Sequence, residues 1–379
     1  MADSVLIYAD TFRSADMRNA VPLSVPDPFL YAERNGARHV VTSSMEAARL
    51  AELGLFDVHV HEEFGIDELV AQGLERPEIR AQLVLRAVHG LGVERAAVPE
   101  TFPLWLADRL RGDGIEVEVD QDLFDDRRRA KTAAQLEGMR RAQRAADAAM
   151  DACRELLRRA EIDGERLLVD GEPLTVERVK AAMNAAFAAH GTTADEFIVA
   201  PGAQGAVGHD MGSGPIPPGV PVVVDIWPRD NASAVYTDMT RTFVVGDVPD
   251  DVREWHRLAK QALDRAEAEI GPGAECRAIF DGTCEIFEEA GEPTQRTKQA
   301  GETLADGFFH GLGHGVGLEV HEEPGLGLTS RTSLVAGDVV TVEPGLYRSG
   351  YGGVRLEDIV LVTETGSEVI TQYPYDLEP

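Results

Sequence analysis

The sequence predicts a mixed α/β (α+β) protein of two domains, on three observations. Over residues 1–126 short apolar runs of strand character alternate with amphipathic helical stretches. A charged stretch, DDRRRAK, then leads into a long helix with its own start signal. Beyond it, one order of elements, a helix pair followed by acid-bearing strands, occurs twice. The boundary therefore falls near residue 127, giving a smaller amino-terminal α/β domain over 1–126 and a carboxy-terminal domain over 127–379.

In the first domain SVLIYA, RHVVTSS, DVHVHEE, RAAVPE and IEVEVD read as strands, while SMEAARLAEL, IRAQLVLRAVHG and FPLWLADRLRG carry helical periodicity. His59 and His61, two apart in DVHVHEE, would share one strand face. No third ligand stands near them, so a polar strand face is the expectation rather than a metal site. Past the charged stretch, Thr132 and Gln135 fit a capping box. Leu136, Met139, Ala142, Ala146, Met150, Cys153 and Leu157 follow at helical spacing.

The repeat then unfolds in order. Helices over about 132–159 and 175–190 precede strands carrying Asp225 and Asp238; helices over about 250–270 and 275–290 precede strands carrying Glu343 and Glu357. Val252, Trp255, Ala259, Ala262, Ala266 and Ile270 give the third helix an apolar face, and Gly271-Pro272 stops it. Each half contributes two acids. Two similar halves facing one another would bring both pairs to a single cleft.

Composition bounds the function classes. A chain of 379 residues, 44% hydrophobic, buries a sizeable core without staples. Cys153, Cys276 and Cys284 are an odd number without metal-ligand spacing, so reduced core thiols in a cytoplasmic protein are expected. The start MADSVLIYAD lacks a basic leader and a long apolar run, and no stretch approaches a membrane-spanning length, so neither secretion nor insertion is expected. A formal charge of −30 disfavours nucleic acid and anionic membranes as partners.

The chemistry-bearing residues are Asp225 in PVVVDIW, Asp238 in VYTDMTRTF, His314 in GLGHGVGLEVHEE, Glu343 in VVTVEPG and Glu357 in GVRLEDIVLV. Any one of these acids alone would fit a solvent-facing strand end. An ionised Asp after three valines, however, costs several kcal/mol unless a cation or hydrogen bonds compensate it. Four carboxylates and one imidazole form an oxygen-rich ligand set suited to an adjacent pair of Mn, Co, Fe or Zn ions, unlike the thiolate sets of structural zinc. No GxSxG elbow, reactive-cysteine motif or HExxH occurs, which leaves serine, cysteine and mononuclear zinc hydrolysis without support.

These motifs, VVVDIW, TDMTRTF, HGLGHGVGLEVHEEP, VVTVEPGLY and GYGGVRLEDIVLV, make residues 132–379 resemble the pita-bread metallopeptidases, in the branch of prolidase and the Xaa-Pro aminopeptidases. The resemblance implies a pita-bread domain with pseudo-twofold halves, preceded by a creatinase-N-like domain matched only in length and element order. It implies two divalent metal ions per chain, manganese foremost with Co, Zn or Fe as alternatives. Asp225 would hold one ion, His314 and Glu343 the other, and Asp238 and Glu357 both. Glu343 would also shuttle a proton, His321 would stabilise the oxyanion, His209 would contact substrate near the scissile bond, and His310 would line a proline-side pocket. Arg355 would orient the acids or meet a substrate carboxylate, with a purely structural salt bridge equally open; Tyr236 and Tyr347 flank the ligands.

The implied reaction is hydrolysis of the Xaa-Pro bond at the amino terminus of peptides or in Xaa-Pro dipeptides, by a homodimer. Two alternatives share the fold: a creatinase-like small-molecule hydrolase or lyase, and a non-catalytic peptide-binding protein. One departure from the family stands out. Asp225 and Asp238 lie thirteen apart where eleven is usual, so a longer hairpin loop around Pro228, Arg229, Asp230 and Asn231 is expected, reaching toward the cleft mouth.

Overall fold

The computed structural model describes residues 4–379, and its contacts divide the chain into two compact units, one ending at Arg128 and the other spanning Arg129–Pro379. In the first unit, among the described residues, six strands form one sheet in the order Asp57–Val60, Ala37–Thr42, Phe29–Arg34, Ser4–Ala9, Arg95–Val98, Glu116–Val119. The three central neighbours pair antiparallel and the outer ones parallel. Alternation along Ser4–Ala9 sends Leu6 and Tyr8 to one core cluster and Val5 and Ile7 to the other, so the sheet is covered on both faces. The strand with His59 ends at Val60, and His61 opens a short 3-10 turn, so the two histidines do not share a strand face. His59 instead sits 3.0 Å from Glu63 and 3.4 Å from His39. The charged stretch is helical as far as Arg129, in the helix Gln121–Arg129.

The second unit holds two helix pairs, Ala133–Arg158 with Val176–Ala189 and Asp250–Glu269 with Cys276–Glu289. Thr132 caps the first through its side chain, with Gln135 answering, and Gly138, Met139, Ala142, Ala146, Met150, Cys153 and Leu157 form its buried stripe. Each pair covers its own sheet. The first half has the antiparallel strands Ile198–Pro201, Val222–Ile226 and Met239–Phe243. The second has Glu322–Leu326, Gly313–Gly315, Val339–Val342, Asp358–Val362 and Ser367–Val369 in that sheet order. Phe280, Phe287, Phe308 and Trp255 fill the second core, each contributing roughly 1.5–3 kcal/mol by burial. All three cysteines are free and buried, and no helix among the described residues is long and apolar enough to cross a membrane.

Arg241 joins the halves. Its guanidinium, 1% exposed, donates to Asp358 Oδ1 at 2.9 Å and to the carbonyls of Glu357 and Tyr373, each at 2.8 Å. Thr242 Oγ1 accepts from the Arg355 backbone at 3.1 Å and donates back to its carbonyl at 3.0 Å. A strand of one half is thereby fixed against the segment of the other that carries Glu357.

The connection between Asp225 and Asp238 is more ordered than a free hairpin loop. Arg229–Asp230 pairs antiparallel with Thr192–Thr193, and Arg141 grips the buried Asp230 carboxylate with two bonds of 3.1 and 2.8 Å. The Ser233 backbone donates to the same carboxylate at 2.8 Å. The two additional residues are absorbed in a pinned ribbon.

Candidate metal centre

Strand alternation places the first acid pair. Val222, Val224 and Ile226 pack into the first-half core, which turns Asp225 to the opposite face. Asp225 lies across from Thr240, and Asp238 stands two residues before Thr240. In the second half Val342 pairs with Asp358, so the next residues outward, Glu343 and Glu357, emerge at the same sheet end. His314 comes from the neighbouring strand Gly313–Gly315, where its N–H donates to Thr341 Oγ1 at 3.1 Å. Gly313 is required there: a Cβ would overlap the Thr341 carbonyl.

Asp225, Asp238, His314, Glu343 and Glu357 line one cavity of about 670 Å³, and His209, His310, His321 and Arg355 line it too. His314 Nε2 lies 3.6 Å from Glu343 Oε1 and 4.0 Å from Asp238 Oδ2. Asp238, His314 and Glu357 each offer a ligand atom within 4.8 Å of the others. These separations exceed a hydrogen bond and surround a common centre. Oδ1 of Asp225 and Oδ1 of Asp238 are buried with no hydrogen-bond partner among the described residues. Each such atom costs about 1–3 kcal/mol when left unmade.

The balance of charge points the same way. Four carboxylates against the single Arg355 guanidinium leave three formal negative charges in a buried space. Without a cation the relief is proton uptake. Burial first, then Glu357, Asp225 and Glu343, hold the Asp238 carboxyl well above the usual range; burial, Glu343 and Asp225 do the same to Glu357. Glu343 is pushed up to about 8 by burial, against the pull of Arg355 and with Asp225 adding. The imidazoles move the other way. His314 is lowered to about 4 by burial and His321, and His310 to about 3 by burial and Arg355. His314 Nδ1 donates to the Gly315 carbonyl at 3.0 Å, which leaves Nε2 as a lone pair facing the acids. Reluctant acids around a neutral imidazole are a donor set that divalent cations fit, since their charge removes the penalty that protons otherwise relieve.

The surrounding groups are committed in distinct ways. Arg355, 4% exposed, forms a close ion pair with Asp225 and donates to Tyr347 Oη at 2.9 Å and Thr240 Oγ1 at 3.3 Å. His310 Nδ1 donates to the Gly311 carbonyl at 2.7 Å, so its Nε2 accepts from the Tyr347 hydroxyl at 2.9 Å. The His321 ring meets His314 edge-on at 4.2 Å, while His209 stands exposed on the cavity wall. Sequence reasoning passed over Thr240, Phe309 and Trp227. Thr240 Oγ1 donates to Glu357 Oε2 at 2.7 Å, a role its place two residues beyond Asp238 on the same strand could have signalled. Phe309 stacks on Tyr347 at 4.8 Å and lines the cavity, as does Trp227.

Comparison with known proteins adds independent findings. The model of metallopeptidase family M24 matches residues 137–364. The chain is 32% identical over 261 residues to the Xaa-Pro dipeptidase of Pyrococcus furiosus, covering 68% of this chain and 67% of that one. It is 30% identical over 300 residues to the probable dipeptidase PepE of Mycobacterium tuberculosis, covering 78% and 72%. Among solved structures, the Xaa-Pro dipeptidase from Bacillus anthracis superposes with a TM-score of 0.80 at 25% identity, over 100% of this chain and 95% of that one.

Proposed function

Because this chain belongs to metallopeptidase family M24, we propose that its carboxy-terminal unit, with the pita-bread fold, hydrolyses the Xaa-Pro bond at the amino terminus of peptides or in Xaa-Pro dipeptides. The enzyme is a metallopeptidase that uses divalent ions. We take their number as two, with manganese the first choice. Asp225 would hold one, His314 and Glu343 the other, with Asp238 and Glu357 available to both. When bound, such ions supply Lewis acidity that lowers the pKa of water and polarises the scissile carbonyl.

The chain's own residues do the rest. Glu343 accepts a proton from the attacking water and passes it to the leaving nitrogen. His321 donates a hydrogen bond to the oxygen on which charge develops. His209, on the same wall, contacts substrate beside the scissile bond. Phe309 and His310, with Tyr347 behind them, offer an aromatic wall for the proline ring. Arg355 does not reach outward but holds Asp225 in place. The bond before proline lacks an N–H, which favours a dedicated pocket over a general protease groove. The amino-terminal unit serves as an accessory domain and the chain forms a homodimer, as the resemblance implies, and the free buried cysteines fit a cytoplasmic setting.

The observation that carries this reading is the convergence of four acids, three buried and two with unpartnered oxygens, on the neutral His314. The test is a hydrolysis panel of Xaa-Pro dipeptides, Xaa-Pro-Xaa tripeptides and matched substrates without proline, each with Mn, Co or Zn. Cleavage confined to the proline substrates supports it. Metal uptake without cleavage of any of them would point to the creatinase-like alternative, and no uptake to a peptide-binding protein.

A further inference from the structure

A second cavity, of about 370 Å³, adjoins the metal-site cavity and shares Trp227 and Val320 with it. It does not include Phe309 or His310, the wall assigned to the proline ring. A dipeptide whose ring occupies that wall and whose scissile carbonyl faces the acids must send its first side chain elsewhere. The second cavity, reached past Trp227 and Val320, offers space for it.

Arg229 gives this cavity its chemical character. It belongs to the ribbon that lengthens the Asp225 to Asp238 connection, and the Arg141 grip on Asp230 and the pairing with Thr192–Thr193 hold its backbone. Its guanidinium is half-buried over the Tyr236 ring at 5.9 Å, and no carboxylate or carbonyl among the described residues pairs with it. An uncommitted cation is a marked feature in a chain of net charge −30. Asp195 and Glu196 also line the cavity but are exposed, where water screens them. Guanidinium matches carboxylate with two parallel hydrogen bonds, and a held backbone lessens the ordering cost of forming them. Resting on the Xaa-Pro reading above, we propose that this cavity receives the side chain of the residue on the amino side of the scissile bond, and that Arg229 makes acidic side chains the preferred ones.

The experiment compares kcat and KM for Glu-Pro, Gln-Pro and Lys-Pro, with manganese supplied, in the unaltered protein and in Arg229→Gln and Arg229→Glu variants. The unaltered protein should favour Glu-Pro over Gln-Pro by about tenfold or more in kcat/KM, the size of a charge-assisted hydrogen bond, chiefly through KM. Arg229→Gln should bring that ratio near one, and Arg229→Glu should place Lys-Pro above Glu-Pro. Equal rates for Glu-Pro and Gln-Pro in the unaltered protein would overturn the proposal while leaving Xaa-Pro hydrolysis standing. So would an Arg229→Gln variant that weakens all three substrates alike, because the guanidinium would then read a group common to them, such as the terminal carboxylate. No cleavage of any proline substrate would remove the underlying reading and this inference with it.

Discussion

Glu343→Gln should make the metal-free protein more stable while destroying its activity. In the folded, metal-free chain the Glu343 carboxyl titrates at about 8, raised from the ordinary 4.5 chiefly by burial, and the side chain is 19% exposed. An acid whose folded value is raised binds a proton more tightly in the folded than in the unfolded state. The penalty is therefore absent below the unfolded value, grows as pH rises from 4.5, and levels off above 8. At pH 7 the chain must take up a proton that the unfolded state has released, across about 2.5 pH units, which costs about 3 kcal/mol. Gln carries no such cost. At about 2–4 °C per kcal/mol for a unit of this size, the metal-free variant should melt about 6–12 °C higher at pH 7, with the difference vanishing toward pH 4.5. Thermal denaturation in the presence of a chelator measures it. Adding metal at about a thousandfold excess over Kd should reverse the order, since the native chain then gains about 4.1 kcal/mol and the variant lacks a carboxylate donor. A metal-free variant that melts at or below the native protein at pH 7, or a difference that persists at pH 4.5, would refute the reasoning.

Other substitutions probe separate parts of the structure. Asp238→Ala removes an acid proposed to serve both ions and should abolish turnover while circular dichroism stays unchanged; undiminished turnover would refute the ligand assignment. His321→Ala should lower kcat by about 10² through loss of an oxyanion donor, and a change confined to melting temperature would make His321 structural. Arg241→Met strands Asp358, 0% exposed, without its guanidinium and should destabilise by about 3–5 kcal/mol in urea unfolding. A loss under 1 kcal/mol would mean the halves are held together by packing instead.

Much of the fold was legible because local pattern and tertiary role agreed. Thr132 with Gln135 and the apolar stripe through Leu157 specify a helix that the structure forms over Ala133–Arg158. The acids were legible for a related reason: an Asp after three valines is costly unless something answers its charge. What escaped was set by distant partners. Asp230 reads as a loop residue, and Arg141, 89 positions away, together with the pairing to Thr192–Thr193, turns its segment into a pinned ribbon. Thr240 looks like one more β-branched strand residue until Glu357, from the other half, is seen to accept its hydroxyl. DVHVHEE alternates as a strand would, but the Glu63 carboxylate accepts from the Val60 N–H at 3.0 Å and favours a turn at His61.

The most direct measurement is anomalous diffraction at the manganese absorption edge from crystals grown with that ion. Two peaks within the cluster of Asp225, Asp238, His314, Glu343 and Glu357 are predicted, with density from Asp238 and Glu357 reaching both. No peak there at full occupancy elsewhere, or one ion held without Asp238, would contradict a centre built from both halves of the chain.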